Sequence, residues 1–379
     1  MKLIDRDLLK KKLDQRFSED ILAGRVGGLN ALVVQNGEIV YRTSMGRANG
    51  ETAVGTKTMF RLASMTKPIT AVATMIAVER GLLSLDDPVS KYLPQYEKMQ
   101  IASLAANGEP RITGQARTPI TVRHLLSHSS GIGCGELGVY YVSKMTDRDR
   151  ADLNGTVDYY SKLPLSFEPF TEQAYSPFAA FDVLARIIEL VTGEEYGAFL
   201  KKSIFDPCEM KDTTFTPSEE QWARMIEMHN YQNGEAIAVS MLEGCVFESF
   251  PQSHALAGAG LASTVDDYAR FAEMLINGGE IFGNRILSSG SIDQIAMTQC
   301  PHPMKGGNSH WGLSVRVITN PAYVLPLGTF GWSGAYGTHF WIDRTNGIFA
   351  IYLKNSKYDG GSGAKTAYHF EEDVYTSMQ

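Results

Sequence analysis

Ser64 and Lys67 lie three residues apart in Phe60-Arg-Leu-Ala-Ser-Met-Thr-Lys67. A hydroxyl and an amine at that spacing share one face of a helix. Such a pair can act as nucleophile and proton acceptor if burial and neighbouring charge bring the lysine pKa down towards neutrality. The S-x-x-K pattern alone is weak, since chance supplies about one match in a chain of this composition. It occurs a second time, at Ser362-Gly-Ala-Lys365, where Asp359-Gly-Gly361 precedes it and the segment reads as a turn opening a last helix. Taken alone, Ser64 would be a helix cap and Lys67 a solvated first-turn charge. The surrounding elements decide between these readings.

Ile69 to Val78 is apolar almost all round, the pattern of a buried helix rather than a surface one. Pro68 is tolerated in the first turn, where its missing N–H has no partner to lose, and Gly81 is a natural stop. Ser64 therefore heads a buried central helix. Before it, Ile4, Leu8, Leu9, Leu13, Phe17 and Ile21 recur at helical spacing. Strand-like runs Leu29 to Val34 and Glu38 to Met45 then flank Gln35-Asn36-Gly37, a hairpin signal. After it come a polar, Gly-rich insertion near Gly108 to Gly114 and a capped short helix within Thr118 to Leu126. That helix ends in the turn Ser127-His-Ser-Ser-Gly131. Helices are expected over Phe178 to Val191, with Gly193 as stop, and over Val265 to Ile276. Between them Tyr231 to Ala238 suggests a hairpin around Asn233-Gly234. The end of the chain is β-rich over Trp311 to Ile318, Thr338 to Asp343 and Ile348 to Lys354, and a helix follows from Ala364 to Tyr375. Turn-linked strands at both chain ends predict an α+β fold, one antiparallel sheet flanked by helices plus a mostly helical middle.

With 379 residues, 44% of them hydrophobic, the chain can bury a large core, and its net charge of −7 argues against a nucleic-acid partner. Cys134, Cys208, Cys245 and Cys300 show no paired spacing and read as reduced thiols. The charged N-terminus shows no secretory signal and no run reaches a membrane span, so a cytoplasmic location is expected. Gly331-Trp-Ser-Gly-Ala335 lacks the fifth-position glycine of a nucleophile elbow. Gly363-Ala-Lys-Thr366 lacks a phosphate-loop frame; of the eight histidines only His124 and His128 stand four apart, and they do not pair with cysteines at zinc spacing. No cofactor and no metal are expected.

Five stretches in order resemble the β-lactamase-related serine hydrolases, a group that includes class C β-lactamases, D-alanyl-D-alanine peptidases, D-aminopeptidases and family VIII carboxylesterases. They are Phe60 to Lys67, Leu125-Leu-Ser-His-Ser-Ser-Gly131, Tyr175-Ser176, Gly258-Ala-Gly-Leu-Ala-Ser-Thr264 and Gly334-Ala-Tyr-Gly-Thr-His-Phe-Trp-Ile-Asp343. The resemblance implies the β-lactamase/transpeptidase-like fold: a sheet domain from residues 1–80 and 265–379, a mainly helical domain from 81–264, and an active site in the cleft between. It implies Ser64 as nucleophile, Lys67 as its partner, and Tyr175, as phenolate or through a Lys–Tyr hydrogen bond, sharing the proton work. The backbone N–H groups of Ser64 and Ala335 would hold the oxyanion. Tyr231-Gln232-Asn233 copies the family's Y-x-N literally, but it lies in a hairpin after the helix that should follow the tyrosine. Tyr175 fits the order, with Pro177 where asparagine is usual. The third motif, usually K-T-G or H-T-G, reads Trp332-Ser333-Gly334, a substrate-binding segment with an apolar wall in place of a cation.

These departures imply a carboxylesterase forming an acyl-Ser64 intermediate on small neutral esters. β-Lactamase, D-Ala-D-Ala carboxypeptidase, D-aminopeptidase and acyltransferase activities stay open, as does a penicillin-binding or sensor protein without turnover. The partner expected is a small-molecule ester or amide; the oligomeric state is not readable. His128 and His339 are read as structural, and Tyr140, Tyr141, Tyr159 and Tyr160 either line the acyl pocket or simply pack.

Overall fold

Apolar strands from the two ends of the chain pair into one sheet. The structure, a computed structural model, describes residues 2–232, 235–238, 253–359 and 364–379. The sheet takes β1 (Gly28–Gln35), β2 (Glu38–Asn49) and β3 (Thr52–Ala53) from the N-terminal part. From the C-terminal part it takes β4 (Ser309–Trp311), β5 (Arg316–Ile318), β6 (Phe330–Ser333), β7 (His339–Asp343) and β8 (Ile348–Lys354). Their order is β4-β5-β6-β7-β8-β1-β2-β3, with every neighbouring pair antiparallel. The chain ends meet where β1 runs against β8, from Leu29 opposite Lys354 to Gln35 opposite Ile348. The β1–β2 turn uses Asn36 and Gly37, both at positive φ (53° and 81°), the backbone a type I′ hairpin turn needs.

All eight residues of β1 are buried, because helices cover both faces of the sheet. Leu29, Ala31 and Val33 point to one side. There Phe17 of α1 (Arg6–Leu22) and Phe370 of the C-terminal helix (Lys365–Tyr375) join Trp341 and Tyr352 in one cluster. Leu32 and Val34 point to the other side, into the core built around α2 (Thr66–Glu79). Every residue of α2 from Thr66 to Ala77 is buried, polar ones included. Helix α3 (Ala179–Thr192) packs on α2, ends at Gly193 with φ 72°, and anchors the helical region; α4 (Val265–Ile276) lies under β8. The C-terminal helix Lys365–Tyr375 is α5.

Three local details go beyond what the sequence carried. The polar insertion near Gly108 to Gly114 is half of a hairpin, Gln100–Leu104 with Pro110–Gln115. Its outer strand is exposed, so no apolar alternation marks it. Trp311 to Ile318 is two strands, β4 and β5, reversing through Ser314 at φ 65°. Phe330–Ser333 pairs on both sides as β6, a strand too short and glycine-broken to show a period. The strands His229–Gln232 and Glu235–Ala238 do pair, while the Asn233-Gly234 turn, Cys245 and the Ser362-Gly363 turn lie outside the described residues. Cys134, Cys208 and Cys300 are free and buried. Among the described residues no helix is long and apolar enough to cross a membrane.

Phe370 is fully buried, 6.1 Å from the Phe17 ring and 5.0 Å from Trp341. Phe370→Ala should therefore cost about 3–5 kcal/mol of stability through the cavity it leaves. Urea unfolding measures this, and a loss below about 1 kcal/mol would show that α5 is not pinned to the sheet by this ring.

Candidate active site

The nucleophile candidate sits at a strained junction. Ala63–Met65 forms one 3-10 turn that runs directly into α2, and Ala63 holds φ 46°, a backbone region that favours glycine. The strain is held from the sheet side. Thr338 Oγ1 donates to the Leu62 carbonyl at 2.9 Å, and the Gly334 N–H donates to the Thr338 carbonyl at 2.7 Å. A Cβ on Gly334 would lie 2.3 Å from the Leu62 carbonyl oxygen and 2.2 Å from Thr338 Oγ1. Only glycine lets the end of β6 come this close to the segment carrying Ser64.

Lys67 is fully buried, with Nζ 3.3 Å from Ser64 Oγ and 2.8 Å from each of the Pro177 and Gly258 carbonyl oxygens. A neutral amine has two hydrogens and one lone pair. Two carbonyls take the hydrogens, which leaves the lone pair for the Ser64 hydroxyl. Burial pushes the Lys67 pKa well below the ordinary lysine range, and the buried Asp182 carboxyl on α3 opposes this only in part. The carbonyl cradle is itself tied down. Thr70 Oγ1, one turn along α2, donates to the Ala257 carbonyl at 2.7 Å, and the Ala257 N–H donates to Asp182 Oδ1 at 3.3 Å.

Tyr175 brings its hydroxyl to 2.6 Å from Ser64 Oγ. Its backbone is gripped on both sides by His128. The Ala174 N–H donates to the His128 carbonyl and the Ser176 N–H to His128 Nδ1, each at 3.0 Å, and the two rings lie 4.7 Å apart. Burial holds the His128 pKa well below the usual range, so the ring is neutral and Nδ1 can accept. Burial also pushes the Tyr175 phenol up to about 12, against the opposing hydrogen bond with Ser64. The phenol is therefore protonated at neutral pH. Lys67 and Tyr175 make no hydrogen bond to each other; the amine sits 4.8 Å from the Tyr175 ring centroid. The arrangement can move the Ser64 proton to the amine and hold a second proton, on the phenol, beside the reacting oxygen.

Ser64, Tyr175, Trp332, Ser333, Gly334 and Ala335 all line one cleft of about 430 Å³. Ala335 is exposed, and no described group accepts its backbone N–H. Trp332 packs 5.6 Å from the Tyr175 ring and 4.5 Å from Trp311. The cleft also takes in Gln173, Met304, Lys305 and Trp311, which sequence reasoning missed. Trp311 had one sequence cue, its place in a β-rich run, while Lys305 had none. Tyr140, Tyr141, Tyr159 and Tyr160 do not line this cleft. The Tyr140 hydroxyl donates to Glu109 and that of Tyr159 to the Tyr141 carbonyl. The side chain of Tyr231 and all of Asn233 lie outside the described residues. A larger hollow of about 640 Å³ around Glu195, Phe215 and His254 is elsewhere and contains none of the Ser64 group. Among the described residues no cluster of side chains could hold a metal ion.

The profile of the Beta-lactamase family matches residues 10–372. Esterase EstB of Burkholderia gladioli is 30% identical over 391 residues, covering 96% of this chain and 94% of the esterase. Lovastatin esterase of Penicillium rubens is 26% identical, covering 96% of this chain and 98% of its own. Among solved structures, EstCE1, described as a hydrolase with promiscuous acyltransferase activity, superposes with a TM-score of 0.83 at 23% identity. That match covers 98% of this chain and 99% of EstCE1.

Substitutions at Tyr175 and Lys67, with Tyr231 as control, test the assignment of the proton groups. Tyr175→Phe should lower kcat on a chromogenic ester by about 10²–10⁴ with little change in KM, and Tyr231→Phe should not. An equal loss in Tyr231→Phe would move the second motif. Lys67→Arg should abolish turnover while circular dichroism holds, because a guanidinium keeps its proton and cannot accept another. For the same reason kcat/KM should be full above the lowered Lys67 pKa and fall as pH drops through it. A rate that stays flat into the acid range would exclude a neutral amine as base.

Proposed function

The chain belongs to the β-lactamase family and is a serine hydrolase; on that premise we propose that it is a carboxylesterase acting on small neutral esters through an acyl-Ser64 intermediate. Ser64 Oγ attacks the ester carbonyl as its proton passes to the Lys67 amine. The N–H groups of Ser64 and Ala335 hold the oxyanion. Tyr175 protonates the departing alkoxide and is left as a phenolate. Water then gives its proton to that phenolate as it attacks the acyl-serine, and Lys67 returns its proton to Ser64 Oγ as the acid leaves.

One observation carries the choice of substrate: Trp332 stands where the family's third motif usually puts a cation, and its buried indole packs against Trp311 and Tyr175. Neither of two other candidate cations replaces it. Arg316 is paired with Glu371, and His339 lies between Ser333 and Glu371, neither of them in the cleft lining. Lys305 does reach the lining, but it is exposed, and a solvated cation adds little selectivity. The similarity to EstB and lovastatin esterase supports an ester as substrate.

Wild-type enzyme should hydrolyse p-nitrophenyl acetate or butyrate with far higher kcat/KM than a chromogenic cephalosporin or a D-Ala-D-Ala peptide. Trp332→Lys should narrow the gap by about ten- to a hundredfold, the worth of one charge-assisted contact. A measured preference for the cephalosporin would make the protein a β-lactamase with an unusual third motif. Stoichiometric labelling of Ser64 without turnover of any substrate would make it a penicillin-binding protein.

A further inference from the structure

The hydroxyl of Ser333 is not free. Its Oγ lies 2.7 Å from His339 Nδ1, and His339 Nε2 lies 3.1 Å from Glu371 Oε1. Glu371, on α5, also pairs with Arg316 of β5 and accepts the Tyr323 hydroxyl at 2.8 Å. Ser333, His339 and Glu371 are 3%, 2% and 1% exposed, so water cannot rearrange this chain of contacts. His339 faces Ser333 across the β6–β7 ladder and shares its side of the sheet with Trp341, whose ring lies 5.4 Å away. The chain thus starts at the cleft and runs back through the sheet towards α5.

Charge fixes the direction of each bond. Burial pushes the Glu371 carboxyl up, but Arg316, His339 and Tyr323 outweigh it and hold it down at about 2, so Glu371 is an ionised acceptor. The ring nitrogen facing it, Nε2, must carry the hydrogen. Burial lowers the His339 pKa, with Arg316 adding to this and Glu371 opposing it, so the ring is neutral and Nδ1 keeps its lone pair. Ser333 has a single hydrogen, and Nδ1 takes it. What remains on the oxygen is acceptor capacity only.

We infer that Ser333 serves the cleft as a hydrogen-bond acceptor locked by His339 and Glu371, so that this side of the site disfavours substrates bearing a carboxylate and favours neutral or hydrogen-donating groups. The inference rests on Ser64 as the nucleophile of this same cleft and gives the preference for uncharged esters a second physical cause, independent of Trp332. An acceptor facing a carboxylate strips water from both and returns no bond, whereas a freely turning hydroxyl would donate. Arg316, buried against Glu371, orders the chain without reaching the cleft, which makes His339, Glu371 and Arg316 positioning residues.

A matched pair of esters reads this out: p-nitrophenyl butyrate, which is neutral, and mono-p-nitrophenyl succinate, which ends in a carboxylate. Lys305 and the rest of the cleft are common to all variants and cancel in the ratio of their kcat/KM values. His339→Leu frees the Ser333 hydrogen and should raise the succinate-to-butyrate ratio about tenfold, chiefly through a lower KM for the succinate. Adding Ser333→Ala to that variant should remove most of the gain. His339→Asn, which puts an amide oxygen where Nδ1 was, should stay near the wild-type ratio. If the leucine variant fails to fold, Ser333→Ala alone decides by sign: losing an acceptor raises the ratio and losing a donor lowers it. A lowered ratio there, or an unchanged ratio in a folded His339→Leu that still turns over butyrate, overturns the inference and leaves the esterase reading standing. No turnover of either ester by the wild-type protein overturns the esterase reading, and the inference with it.

Discussion

The dependence of this structure on one buried amine is the plainest physical fact about it. A lysine head group removed from water loses the hydration that stabilises its charge, and at Lys67 no carboxylate among the described residues touches it to compensate. The low-energy solution is a neutral amine with both hydrogens placed on carbonyls and its lone pair on a hydroxyl. That demands two carbonyls from segments far apart in the chain, Pro177 and Gly258, and a helix buried all round to keep water away. The apolar run of α2, the Thr70 bond to Ala257 and the Asp182 bond to the same residue all serve that demand.

The sheet supplies the opposite wall. Joining β1 to β8 closes the two chain ends into one layer, and this lets β6 finish against Leu62 at a distance only Gly334 permits. Whatever β6 carries is therefore held beside Ser64. Here it carries an indole and a serine whose hydrogen is already committed, both in the lining of the cleft. The cleft is apolar and aromatic on its near wall, and the ionic groups of this sheet region are turned back towards α5. Under the proposed function, selectivity for uncharged substrates comes from what the site withholds, a cation and a donor, as much as from what it offers.

His128 shows how a polar residue can be structural and still matter to chemistry. It sits at φ 54°, gives its carbonyl to Ala174 and its ring nitrogen to Ser176, and so brackets Tyr175 without touching Ser64. Reading it from the sequence as structural agrees with these contacts. What the sequence did not reveal is that the structure it serves is the placement of the phenol.

Much of the fold was legible because its signals are local. The period of α1, the apolar circumference of α2, the Asn36-Gly37 turn and the stop at Gly193 each depend on a few neighbouring residues and on backbone sterics. Ser64 and Lys67 were legible as candidates from residue type and spacing, and Tyr175 and Trp332 through the resemblance to the family's ordered motifs. The misses were segments without a period: the exposed hairpin around Gly108, the four-residue β6, and the reversal at Ser314. Trp311, Met304 and Lys305 reach the cleft only because β4 and the loop before it fold over Ser64, a contact across some 240 positions. The sequence by itself determined which groups are candidates to react. Only the tertiary structure decided their protonation and hydrogen-bond direction, because those depend on the removal of water and on partners such as Gly258 and Glu371 that no local pattern can bring into view.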